Sequence, residues 1–138
     1  PELEARLFSA VTGLDMDERA FLRTGERCAN LCRALYLREG RRGRVDDVLE
    51  EFNFTTPLHE QDPPVGLFNA DLVLPGKDGE LFSRKGETVS RETFKKVMDD
   101  YYAARGWDVE TGLPTRKKLI DLDLEDLVPA LAKSGLIK

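Results

Sequence analysis

The sequence predicts a mainly α protein, a helical bundle-like domain interrupted by one long irregular loop at about residues 53–89. Three observations carry that expectation. Apolar residues recur at three- and four-residue spacing before residue 38 and again after residue 90. Glycines and capping residues punctuate both stretches. Between them Pro57, Pro63, Pro64 and Pro75 alternate with Gly66, Gly76, Gly79 and Gly86, a pattern that sustains neither a helix nor a long strand.

Leu3, Leu7 and Val11, with Phe8 beside them, mark one face of a first helix that Gly13 stops. Asp15 and Asp17 are candidate N-caps for a second helix running to about Arg38. Its apolar stripe is Phe21, Cys28, Ala29, Cys32, Leu35 and Tyr36, and that face is expected to turn toward the core. Gly25 lies on the same stripe and reads as a close-approach position against a neighbouring helix. Gly40 and Gly43 end the helix, and Val45 to Phe52 has room for one helical turn. Within the loop, short extended pieces are expected at Gly66–Leu74 and Glu80–Phe82. A loop beyond about 12–15 residues in a compact domain is uncommon unless it is functional or covered by another surface.

Ser90 can cap the next helix, with Glu92 in its first turn. Phe94, Val97, Met98, Tyr101 and Tyr102 follow at i, i+3, i+4, i+7 and i+8, and Gly106 closes the helix. Gly112 and Pro114 make a turn, and Thr115 caps a short helix carrying Leu119 and Ile120. Leu122, Leu124 and Leu127 lead to a last helix with Pro129 in its first turn and Gly135 at its end. The 138 residues therefore suit a single domain over 1–138.

Twenty-one Lys and Arg against twenty-six Asp and Glu leave a net charge of −5. That balance argues against nucleic acid as a partner, since such domains carry a basic stripe. The one dense basic run is Arg38 to Arg44. No apolar run approaches the ~18 residues of a membrane span, so the expected setting is cytoplasmic.

The chemistry-bearing residue types are few. Cys28 and Cys32 share one helix face at i, i+4 and supply half of a tetrahedral site, but two cysteines and one histidine cannot complete it. Packing as small apolar residues is the expected role of both thiols. His59, with Glu60 and Asp62 nearby, has the makings of an oriented base, yet it sits in a Pro-rich loop without a neighbouring nucleophile. Asp15, Asp17 and Glu18 lack the Gly and Glu positions of a calcium loop and read as helix caps. Asp46–Asp47 and Asp99–Asp100 read as helix-start and solvated-face carboxylates. Tyr101, Tyr102 and Trp107 read as a core anchor around the Gly106 turn rather than a base-stacking platform. Neither Gly-x-x-x-x-Gly-Lys-Ser/Thr nor Gly-x-Gly-x-x-Gly occurs. The residues alone assemble no catalytic, cofactor-binding or metal site.

Two groups of segments go further. The first is Ala10-Val11-Thr12-Gly13, Gly25-Glu26-Arg27, Asn30-Leu31, Arg38-Glu39-Gly40 and Asp46-Asp47. The second is Tyr101-Tyr102, Arg105-Gly106-Trp107-Asp108, Gly112-x-Pro114-Thr115, Leu119 and the Leu122–Leu127 stretch. In this order and spacing, over roughly residues 9–128, they resemble the C-terminal helical domain of the tungsten-containing aldehyde ferredoxin oxidoreductase family. The resemblance implies a parent oxidoreductase that interconverts aldehydes and carboxylic acids and passes two electrons to ferredoxin. Its cofactors would be tungsten, or sometimes molybdenum, held by two pterins beside a [4Fe–4S] cluster. Some relatives act on other substrates, including aromatic acyl thioesters.

The departures from the family pattern are as informative. Its C-x-x-C-x-x-x-C run, its fourth cluster cysteine, its pterin-binding aspartate and its Gly-rich phosphate contacts have no counterpart here. Cys28 and Cys32 match none of these positions, and Val-Leu-Glu-Glu-Phe at 48–52 replaces a Pro-containing stretch. The chain is thus expected to hold no cofactor ligand of its own. It starts at Pro1 without Met and reads as a fragment whose partners are the missing N-terminal and middle domains. Apolar surface left bare by their absence is expected to drive self-association. The alternative is a free-standing helical interaction module using the 53–89 loop. A small enzyme complete in itself would need a nucleophile–base pair or metal site that these residues do not form.

Overall fold

The computed structural model describes residues 1–58 and 71–138. It is mainly α. The helices are α1 (Glu2–Thr12), α2 (Glu18–Arg38), α3 (Phe52–Thr55), α4 (Arg91–Arg105), α5 (Arg116–Asp121) and α6 (Val128–Lys133). Among the described residues, two 3₁₀ turns, Gly43–Asp46 and Glu125–Leu127, lie between them, with one antiparallel hairpin of β1 (Val73–Pro75) and β2 (Leu81–Ser83). No helix among the described residues is long and apolar enough to cross a membrane.

The chain divides into two compact units, one of Pro1–Asp47 with Met98–Lys138 and one of Val48–Val97. In the first, local chemistry sets the helix ends as expected. The Asp17 carboxylate accepts from the Ala20 N–H at 2.7 Å and starts α2. Gly13 and Gly106 close α1 and α4 with φ of 74° and 67°. Thr115 Oγ1 accepts from the Lys118 N–H at 3.2 Å and donates to the Gly106 carbonyl at 2.8 Å. Pro129 sits in the first turn of α6, where a missing N–H leaves nothing unpaired. The apolar core is Ala34, Leu119, Leu122, Leu124, Val128 and Leu131, with Leu127, Leu136 and Ile137 packed against it.

Both N-terminal helices present a different face to this unit than their apolar spacing indicates. In α1 the buried residue is Ala5, and Phe8 meets Phe21 of α2 with ring centroids 5.8 Å apart. Leu3, Leu7 and Val11 are 64–78% exposed. In α2 the buried positions are Asn30, Arg33, Ala34 and Leu37. The expected core stripe lies outward: Cys28 and Cys32 are exposed, and Leu35 and Tyr36 are about half exposed. A Cβ on Gly25 would meet nothing within 4 Å, so among the described residues no helix approaches there. The reason is hydrogen-bonding capacity. Asn30 and Arg33 find full sets of partners inside, and a helix turned to bury Leu35 would strand those partners.

The second unit fills much of the expected loop with local structure. Leu74 pairs with Phe82 across the hairpin, and the Gly76 N–H donates to the Glu80 carbonyl at 2.6 Å to close it. The extended pieces thus fall at 73–75 and 81–83, while Gly66 lies outside the described residues. The one-turn helix sits at Phe52–Thr55, later than the Val45–Phe52 expectation. Its Phe54 ring meets Phe94 edge-on at 5.8 Å, and the Arg91 guanidinium lies 4.4 Å from the Phe54 centroid while pairing with Glu51. The Val89 N–H donates to the Asn53 carbonyl at 2.9 Å.

Candidate functional site

The densest polar chemistry is a buried knot centred on Arg33. Its guanidinium donates to both oxygens of Asp47, Nη1 to Oδ1 at 3.0 Å and Nη2 to Oδ2 at 2.6 Å. Nε and Nη2 also donate to the Gly112 carbonyl, at 3.0 and 2.8 Å. The flat group lies 4.5 Å from the Trp107 ring centroid. Tyr102, fully buried, donates its hydroxyl to Asp47 Oδ2 at 2.7 Å. Trp107 Nε1 donates to Asn30 Oδ1 at 2.9 Å, and Asn30 Nδ2 donates to the Glu26 carbonyl. The knot ties α2, the turn before Asp47, α4 and the 106–114 turn into one piece. Tyr102 and Trp107 serve as the expected core anchor, while Tyr101, 41% exposed, meets Trp107 edge-on.

Burial works to raise the Asp47 carboxyl, but the hydrogen bonds from Arg33 and Tyr102 outweigh it and hold the group below its ordinary range. Burial, then the Asp47 carboxylate, push the Tyr102 phenol up to about 12. Asp47 therefore stabilises the fold above the unfolded carboxyl pKa of about 3.9, and that contribution is lost as pH falls through the lower folded value. Between pH 5 and 3 the Asp47→Asn variant is expected to lose less stability than the parent sequence in urea melts. Equal slopes would show that Asp47 does not carry this acid sensitivity. A group locked this way neither gives nor takes protons near neutrality, and every polar atom of the knot is matched. The site fastens; it offers no reacting atom.

Asp17, Asp46 and Asp99 and three arginines of the basic run have structural partners too. Asp17 caps a helix. Asp46 accepts from the Arg42 N–H at 2.7 Å and pairs with its guanidinium, and Asp99 pairs with Arg44 at 2.5 Å. Arg41 donates to the Asp46 carbonyl at 2.8 Å. Arg41, Arg42 and Arg44 of the basic run are thus paired within the fold. His59, Glu60 and Asp62 lie outside the described residues. Among the described residues no three His, Cys, Asp or Glu side chains gather as a metal site.

One recess remains. A groove of about 1500 Å³ follows the N-terminal half of α2, lined by Phe8, Asp17, Phe21, Gly25, Cys28 and Arg105 among others. It exceeds the ~300–1,000 Å³ usual for small-molecule sites and suits a segment of polypeptide better.

Residues 1–124 match the family model described as aldehyde ferredoxin oxidoreductase, domains 2 & 3. The chain belongs to the aldehyde ferredoxin oxidoreductase family. No solved structure matches it. The segments that carry the family likeness include the knot itself: Asn30, Asp47, Tyr102, Trp107 and Gly112. Arg33, its centre, carries no motif. The signal available for it is position, three residues after Asn30 and beside the buried Ala34 and Leu37.

For the iron–sulfur cluster that aldehyde ferredoxin oxidoreductase membership implies, the thiolate donor set among the described residues does not fit. A cluster ordinarily takes four thiolates. This chain has Cys28 and Cys32, both exposed on one helix with no third ligand gathered beside them among the described residues.

Proposed function

We propose that this chain is the C-terminal structural part of a longer cytoplasmic tungsten-pterin, iron–sulfur aldehyde:ferredoxin oxidoreductase, and that it is inactive in isolation. The parent would oxidise aldehydes to carboxylic acids and hand two electrons to ferredoxin. The observation that carries this reading is the match over residues 1–124 to domains 2 & 3 of that family, in a chain whose thiols and carboxylates form no ligand set among the described residues. Its work in the parent is architectural: it packs against the cofactor-bearing domains, helps wall the substrate passage and excludes water from the reacting centre.

Elemental analysis of the purified chain tests this directly. Neither tungsten nor iron is expected in stoichiometric amount, and stoichiometric iron with a cluster absorption band would overturn the proposal. Sedimentation offers a second check. With Leu3, Leu7, Val11, Leu35 and Tyr36 exposed, the isolated chain is expected to form dimers or larger species as its concentration rises. A clean monomer at high concentration contradicts that expectation.

A further inference from the structure

The chain leaves the first unit after Asp47 and rejoins it at Met98, and a clasp fastens the two places to each other. Asp47, the last residue on the way out, accepts from the Tyr102 hydroxyl at 2.7 Å and from Arg33 at 2.6 and 3.0 Å. Just before it, Arg44 pairs with Asp99 at 2.5 Å, and its guanidinium lies 5.3 Å from the Tyr102 ring centroid. Asp99 and Tyr102 belong to the first turns of α4 past the point of return. All of these groups lie in the first unit, so opening of Val48–Val97 breaks none of their bonds.

The two units are also held by different forces. Every buried residue among those described lies in the first unit, and no described residue of 48–97 is buried. Even α4, which runs through the point of return, buries only Tyr102. The second unit is held by its hairpin, by the contact of Phe54 with Phe94, by the Arg91–Glu51 pair and by backbone bonds. Leu58 N–H donates to the Glu87 carbonyl and Gly86 N–H to the Leu58 carbonyl, both at 2.7 Å. Exposed hydrogen bonds with little apolar burial mark a region of low local stability. Ends that are already clasped also spare such a region the entropy of bringing them together when it recloses.

We propose that Val48–Val97 is a conformational device in its own right, opening and reclosing as one cooperative piece while the Arg33–Asp47–Tyr102 clasp stays shut. The core then does not depend on this piece for its stability. The inserted piece can rearrange at small cost, and the core keeps its packing.

Hydrogen exchange in the 138-residue chain, followed by peptide mass spectrometry at low urea, tests this. Trp107 is the one tryptophan and packs against Arg33, so its fluorescence reports on the first unit. Amides of α3 and of the β1–β2 hairpin are expected to exchange at least ~100-fold faster than those of α2 from Asn30 to Leu37, yet at least ~10-fold slower than in the unfolded chain. Trp107 fluorescence should not change under those conditions. Phe54→Ala should speed exchange of α3 and the hairpin together by about 10-fold and leave the Trp107 urea midpoint where it is. Equal protection throughout, with a Trp107 midpoint that falls in Phe54→Ala, overturns the proposal, because the chain is then a single cooperative unit. A variant in which the native Trp107 signal is lost overturns it for the same reason. Faster exchange confined to α3 overturns the cooperativity of the piece. Exchange of 48–97 at the unfolded rate in the parent sequence leaves no folded piece to open and overturns it as well.

Discussion

Replacing Arg33 by alanine is expected to lower the stability of the isolated chain by about 3–5 kcal/mol, the usual consequence of removing one member of a buried ion pair. Arg33 is 7% exposed, and its loss strands several groups together. Asp47 loses both hydrogen bonds from Arg33 and keeps a longer one from Arg41 at 3.4 Å, the Gly112 carbonyl loses two donors, and Trp107 loses the cation over its ring. Domains of this kind hold only about 5–15 kcal/mol in total, so the variant should show a strongly reduced urea midpoint and an incomplete folded baseline. Arg33→Lys keeps the charge but not the planar fork that reaches Asp47 and Gly112 together, and should recover less than half of the loss. Tyr102→Phe removes one hydrogen bond to a charged acceptor and is expected to cost about 1.5–3 kcal/mol. The Arg33→Ala and Asp47→Ala pair should be strongly non-additive in a double-mutant cycle. An Arg33→Ala midpoint close to that of the parent sequence would mean the knot contributes little.

Gly112→Ala is expected to be nearly as damaging. Its φ of 67° alone costs a non-glycine residue about 1–3 kcal/mol. Beyond strain, the new Cβ would stand 2.7 Å from Arg33 Nη2, 2.9 Å from the Arg44 backbone nitrogen and 3.2 Å from Tyr102 Cζ. Arg33 cannot swing aside without leaving Asp47, so the clash passes into the ion pair. Gly43→Ala should behave alike, because its Cβ would fall 2.2 Å from the Thr111 carbonyl oxygen at a φ of 76°. Gly25→Ala is the contrast. It sits inside α2 with open space around it, and the change should stabilise the isolated chain by about 0.5–1 kcal/mol. Thermal melts of the three variants check the ordering. If Gly112→Ala melts with the parent sequence, the close approach at this turn does not exist.

Helix positions and caps are legible in the amino-acid sequence, because each follows from short-range chemistry. Asp17, Thr115, Gly106 and Pro129 act within a few residues of themselves. The orientation of α2 is not legible in that way. Counting apolar spacing treats every hydrophobic stripe as inward, yet Leu35 and Cys32 lie outward because Arg33 and Asn30 have partners from residues 47, 107 and 112. Nothing local to α2 announces those partners. The same holds for the knot, whose residues are each visible as caps, turns or anchors but not as one cluster. Apolar spacing thus marks the stripe on α2 without telling which side of the molecule it faces.

The separations within the knot set an order of events during synthesis and refolding. Asp47 lies 55 residues from Tyr102, and Arg33 lies 79 from Gly112. Helices α1 and α2 can form early from local signals and Arg33 can meet Asp47, 14 residues on, but its bonds to Gly112 and its place over Trp107 must wait until the 106–114 turn arrives. Closing a loop of that length is entropically slow, and contacts of high sequence separation come late. During that interval α2 carries an unclosed polar side and a bare apolar side at once. Association with other nascent chains would compete with folding in that window. Refolding yield should therefore fall with protein concentration more steeply than a short helical protein would suggest.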